Sequence, residues 1–230
     1  YGETIYAGTD RSTMTDSKPF ALFNRPGLWV FLFAFFFCSC LMSGHLYSPD
    51  EEVLFRTARS MASLQGGAIE PLGGYITVAG PGGEPVQVYQ KGFATRSGRG
   101  GKEYAQYGIG QPLLAVPFVW LARLAAPHLP QAFLEALVYR GVQYHEGTPV
   151  AFAMRFPVSR FNQLITALTC WLIYWLCVNL YSSRRLGILT ALAYLTATMA
   201  LPHSKTFFTE PLAALGALAS LALARKAFDD

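Results

Sequence analysis

Gly44 to Ala62, GHLYSPDEEVLFRTARSMA, sets three consecutive acids directly after a long apolar segment and directly before a helix-like pattern. Within it, Ser48-Pro49-Asp50-Glu51 has a hydroxyl residue to cap a helix, proline at the first helical position and a glutamate three residues after the cap. That combination is a capping box, with its acids on the positive end of the helix dipole. One reading of Asp50, Glu51 and Glu52 is that they start a helix and nothing more. The other gives Asp50 chemistry. A carboxylate on the first turn of a helix lying against a membrane can serve as a general base, or as a ligand for a divalent metal, facing a lipid-linked substrate.

What precedes the acids says where they lie. Residues Tyr1 to Asn24 are polar, rich in Thr, Ser and Gly, and read as a loose tail. Leu28 to Met42 is then apolar almost without a break, too far from the start for a signal peptide and long enough to cross or nearly cross a bilayer. Arg25 and Lys18 on its near side mark that side as cytoplasmic. The whole chain of 230 residues is 52% hydrophobic and only 14% charged, which is a multi-pass membrane composition. Its net charge of +4 is small and dispersed, so nucleic acid is not an expected partner. Cys38, Cys40, Cys170 and Cys177 all fall in apolar segments and read as buried thiols.

Further spans are expected at Phe161 to Tyr181, Leu186 to Leu201 and Leu212 to Ala224. Pro112 to Leu121 is apolar but about half the roughly 20 residues that a span needs, and it contains Pro112 and Pro117. If it lies on the outer surface, Arg25, Arg184-Arg185 and Arg225-Lys226 all fall on the cytoplasmic side, as the positive-inside rule requires. The expected fold is therefore an all-α polytopic membrane protein with four transmembrane helices. A cytoplasmic tail covers 1–26, the first span 27–43, a long extracytoplasmic loop 44–157, and the second to fourth spans 158–230. The setting this implies is a plasma (inner) membrane with the amino terminus in the cytoplasm. The first residue is not methionine and the last follow directly on an apolar segment, so the chain is expected to be a fragment of a larger protein.

The long loop collects the polar residues. Tyr75-Ile76-Thr77-Val78 and Val86-Gln87-Val88-Tyr89-Gln90, separated by a Gly/Pro-rich turn, predict a small β-hairpin. Gly98-Arg99-Gly100-Gly101-Lys102 is a flexible basic turn able to touch phosphate, but it is no Walker motif and a solvated loop is its plainer reading. A second polar constellation, Pro202 to Pro211, places His203, Lys205 and Glu210 in a short turn between the last two spans. Thr209 can cap the helix that follows and Lys205 can snorkel to headgroups, while His203 is unassigned. Under the favoured topology this turn and Asp50 share one membrane face and are expected to converge.

The order of these parts carries a resemblance. An acid pair just after the first span (Asp50-Glu51), a loop closing with Gly101-Lys102-Glu103-Tyr104-Ala105-Gln106-Tyr107-Gly108-Ile109-Gly110-Gln111-Pro112, an Arg155-Phe156-Pro157 entry to the next span, and the Ser204 to Pro211 turn resemble the amino-terminal part of GT-C glycosyltransferases. These polytopic enzymes include protein O-mannosyltransferases and the aminoarabinose transferase of lipid A. Members have more spans than the four expected here. The resemblance implies transfer of a sugar from a polyprenyl-phosphate donor to a lipid, glycan or protein acceptor at the extracytoplasmic face. It implies Asp50 as general base or metal ligand, with Glu51 as its neighbour in the motif. Lys205 and Arg155 are implied to neutralise the carrier phosphate, Glu210 to match an acid at the start of the fourth span, and Tyr107 and Gln111 to touch sugar or carrier. The resemblance tips Asp50 toward a functional role that keeps its capping role. The rivals are a non-catalytic membrane scaffold and, less favoured, a transporter, whose polar groups belong near the bilayer midplane. None of the four expected spans has an Asp, Glu, Lys or Arg in its interior.

Overall fold

The computed structural model describes residues 25–138 and 147–229. The amino-terminal tail, residues 1–24, lies outside the described residues. The chain folds into helices α1 (Arg25–Cys40), α2 (Pro49–Ala62), α3 (Gly110–Ala125), α4 (Gln131–Ala136), α5 (Pro149–Val158), α6 (Phe161–Tyr181), α7 (Arg184–Ala197), α8 (Ala200–Ser204) and α9 (Glu210–Asp229). Strands β1 (Ala68–Ile69), β2 (Leu72–Ala79), β3 (Pro85–Phe93), β4 (Thr95–Ser97) and β5 (Glu103–Ala105) all fall between α2 and α3. The fold is mostly helical, as expected, and the described residues add a small sheet to the expected hairpin. The hairpin is present as β2–β3, with Ile76 opposite Val88. The second sheet, in order β1-β5-β4, is antiparallel. Its strands of two or three residues are too short to show an alternating pattern in sequence.

The helix starts follow local chemistry. Ser48 caps α2, its Oγ accepting the Asp50 N–H at 3.1 Å, and Pro49 occupies the first turn. Thr148 and Ser183 cap α5 and α7 in the same way. A residue in the left-handed conformation, Ser182, ends α6 and turns the chain directly into α7.

Helix α6 is the hub. One side packs against α1 and α7 through Ala34, Cys38, Ala167, Cys170, Tyr174, Ala191 and Leu195. Gly187 lets α7 come close, since a Cβ there would lie 3.0 Å from both the ring and the carbonyl oxygen of Tyr174. Another side, at Leu172 and Leu176, meets Ala222 of α9. The amino-terminal end of α6 enters a further core, formed by α2, α3 and α5 and closed by Phe207. Aromatic rings run through it edge to face: Phe161 lies 5.6 Å from Phe118 and 5.7 Å from Phe207. Val53, Leu72 and Ala94 fasten the strands to α2.

Among the described residues, two helical runs are long and apolar enough to cross a membrane, Pro149–Tyr181 and Glu210–Phe228. The first begins earlier than the expected boundary at 157/158, because α5 runs on into α6 across only Ser159 and Arg160. Helix α1 is apolar but has 16 residues, about 24 Å at 1.5 Å per residue, short of a core of about 30 Å. The expected span Leu186 to Leu201 is interrupted: α7 ends at Ala197, Thr198 is extended (φ −129°, ψ −177°), and α8 starts at Ala200. The expected surface segment Pro112 to Leu121 lies within α3, packed on α2 and α5. Its exposed face carries Leu113, Leu114, Trp120, Leu121 and Leu124, one helical stripe. Of the four cysteines, Cys38 and Cys170 are buried as expected, whereas Cys40 is exposed.

Candidate functional site

The three acids that open α2 have three different surroundings. Asp50 is half-buried, and its Oδ1 accepts a hydrogen bond from the Tyr107 hydroxyl. Tyr107 is delivered by the segment after β5, where Gln106 N–H bonds to the Ala94 carbonyl at 3.0 Å. Burial, and then the bond to Asp50, push the Tyr107 hydroxyl above its ordinary pKa, so it stays a donor. Two of the residues singled out in sequence, 57 positions apart, are thereby brought together.

Glu51 points inward. It is 1% exposed, and its Oε2 accepts the Tyr47 N–H at 2.9 Å. Burial raises its pKa to about 7, against the opposing pull of the Tyr47, Phe207 and Ser48 backbone N–H groups. Contact with the Phe207 N–H shows that the Pro202 to Pro211 turn does reach the start of α2. Glu51, expected beside Asp50 at a substrate, has its carboxyl inside the protein, where it joins two backbone segments.

Glu52 is fully buried and holds Arg155 through both oxygens, Nε to Oε2 at 2.9 Å and Nη2 to Oε1 at 2.7 Å. Arg56 adds a third bond at 3.0 Å. The Arg155 guanidinium lies between the rings of Phe55 and Phe152, 4.9 and 5.1 Å from their centres. Arg155, expected to meet a carrier phosphate, is placed in the interior, 3% exposed and with its fork engaged by a carboxylate.

Gln111 is also interior, at 1% exposure, rather than at a sugar-facing surface. Its Nε2 reaches Asn162 Oδ1 at 3.5 Å, and Asn162 Nδ2 donates to the Phe208 carbonyl at 2.8 Å. This relay fixes the turn against the start of α6. Asn162 was not singled out by sequence, although an amide pair, Asn162-Gln163, opening an otherwise apolar helix is a readable signal. Lys205 ends α8, half-buried, and Glu210 opens α9, exposed. Among the described residues no hydrogen bond or ion pair joins either of them to Asp50.

Glu51 faces away from Asp50, and among the described residues no three His, Cys, Asp or Glu side chains come together as metal ligands. What the arrangement can do is hold a half-exposed carboxylate in a fixed orientation beside a turn bearing a lysine. Comparison with protein-family models gives no match, and neither do comparisons with curated proteins and with solved structures.

Proposed function

We propose that this protein is a membrane glycosyltransferase that moves a sugar from a polyprenyl-phosphate-linked donor to a hydroxyl acceptor at the extracytoplasmic face. The observation that carries the reading is the Asp50 carboxylate, left half-exposed on the first turn of α2 and oriented by Tyr107, while its neighbours Glu51 and Glu52 are buried. Asp50 takes the acceptor hydroxyl proton as the acceptor oxygen bonds to the anomeric carbon. The bond from that carbon to the carrier phosphate breaks, and the lipid phosphate leaves as an anion that needs no proton. Lys205, on the turn held by Glu51 and Asn162, is the cation assigned to the departing phosphate.

In this reading α1, α6, α7 with α8, and α9 are four spans, the amino terminus is cytoplasmic, and α3 lies in the outer interface with its apolar stripe toward lipid. An apolar cavity of about 410 Å³ between α1, α6 and α7, lined by Trp29, Phe33, Cys170 and Leu195, suits a prenyl chain.

The test is transfer from radiolabelled polyprenyl-phosphate sugars to hydroxyl acceptors in proteoliposomes. Wild-type protein should transfer, and Asp50→Asn should lose about 10²-fold or more of the rate with unchanged elution and insertion. Full activity in that variant overturns the base assignment, and wild-type protein inert toward every donor overturns the transferase. Single cysteines at Asp50, Arg99, Arg184 and Thr206 test the topology: the first, second and fourth should label from outside and Arg184 should not.

A further inference from the structure

The carboxy-terminal half of α2 borders a second cavity, of about 570 Å³, remote from Asp50 along the helix. Its wall combines Arg56, Arg59 and Ser60 from α2 with Glu70, Lys102 and Glu103 from the strand region. Lys102 reaches it because Gly100 and Gly101 are both left-handed (φ 71° and 69°), closing the turn that starts at Gly98. Gly98 itself packs where a Cβ would lie 2.6 Å from the Tyr104 ring. The basic turn legible in sequence is therefore a shaped wall.

Three observations ask for a ligand. The Ser60 hydroxyl oxygen is buried, with the residue 5% exposed, lines the cavity and has no hydrogen-bond partner. Arg59 and Lys102 have no ion-pair partner among the described residues, whereas Arg56 is held by Glu52. Arg59 is also crowded: burial first, then Arg155 and Arg56, disfavour its charge and outweigh the opposing pull of Glu52 and Glu70, a balance that a seated anion would shift back. An arginine, an ammonium and a hydroxyl together supply donors for the non-bridging oxygens of a phosphate ester. Glu70 and Glu103 would repel a bare anion but accept hydrogen bonds from hydroxyl groups, and Glu103 already accepts one from Ser97. The volume exceeds that of one phosphate and falls in the range of small-molecule sites.

From this constellation we propose that the cavity binds a phosphate ester carrying free hydroxyl groups, its phosphate on Arg59, Lys102 and Ser60 and its hydroxyls on Glu70 and Glu103. Such a group belongs to a soluble polyol or sugar phosphate, or to the headgroup of a lipid such as phosphatidylglycerol. The site does not rest on the transfer chemistry at Asp50, and its test reads binding alone.

The full chain in phosphatidylcholine nanodiscs is acetylated at its lysines, and the rate at Lys102 is measured by peptide mass spectrometry with Lys226 as internal reference. Ionic strength is matched throughout with sodium chloride. Glycerol 3-phosphate at about 10 mM, or phosphatidylglycerol replacing part of the lipid, should slow Lys102 at least ~3-fold relative to Lys226. Protection by the first alone assigns a soluble ester, and protection by the second a headgroup. Arg59→Gln and Ser60→Ala should each abolish or sharply reduce protection, the second being the milder change should the first fail to fold. Equal protection by inorganic phosphate overturns the hydroxyl assignment, and no protection by either probe overturns the site.

Discussion

Asp50–Tyr107 and Glu52–Arg155 begin two residues apart on one helix and end in opposite environments. Two residues along an α-helix turn a side chain by about 200°, so Asp50 and Glu52 cannot share a face. Asp50 keeps access to solvent and one tyrosine donor. Glu52 is enclosed and bonded to two arginines, one of which, Arg155, lies over two aromatic rings. A charge in the first setting is available for chemistry. In the second it is neutralised in place, and its removal leaves an uncompensated partner in a low dielectric.

The comparison breaks most readily at the buried pair. Arg155→Ala should cost about 3–5 kcal/mol by leaving Glu52 without its bidentate partner, seen as a large fall in thermal unfolding temperature. The double variant Glu52→Met with Arg155→Leu should recover most of that loss, and if it does not, the pair does more than hold the core. Next in size is the effect of Glu51, the acid between them. Its pKa is raised from 4.5 to about 7 in the fold, so the folded state binds the extra proton and the contribution of Glu51 to stability is full at or below about pH 4.5. As pH rises through about 7 that contribution is lost, roughly 3 kcal/mol in all. Glu51→Gln should flatten this slope in urea unfolding measured across pH. On the open side, Tyr107→Phe removes one hydrogen bond at a half-exposed carboxylate and should cost about 1 kcal/mol. Under the transferase reading it should lower kcat several-fold at unchanged KM, as befits a positioning residue. Ser48→Ala should lose about 1 kcal/mol or less, the cap being exposed to competition from water.

The parts that sequence made legible are those with local causes. The cap at Ser48, the hairpin around Tyr75 and Val88 and the apolar run from Phe161 to Tyr181 each depend on neighbours in the chain, and each is present. Meeting of the Pro202 turn with the start of α2 was reached from topology and is seen in the Glu51 contact with Phe207. What sequence misassigned was the occupant of each charge. Arg155 looked available because its partner lies 103 residues away, and Gln111 looked surface-bound because Asn162 lies 51 away. Long-range pairing has no period and no spacing to betray it. The break at Thr198 did have a local signal, Pro202 four residues on, which has no N–H for the Thr198 carbonyl and would clash with it in a continuous helix.

Arg56 matters for the order in which the molecule is made. Glu52 leaves the ribosome long before Arg155, and closing a loop of that length is slow compared with forming one helical turn. Arg56 is four residues on, so its bond to Glu52 is available as soon as α2 winds. Of the two partners of Glu52, Arg56 is therefore the one that needs no other element than α2 itself, and Arg155 the one that needs the fold.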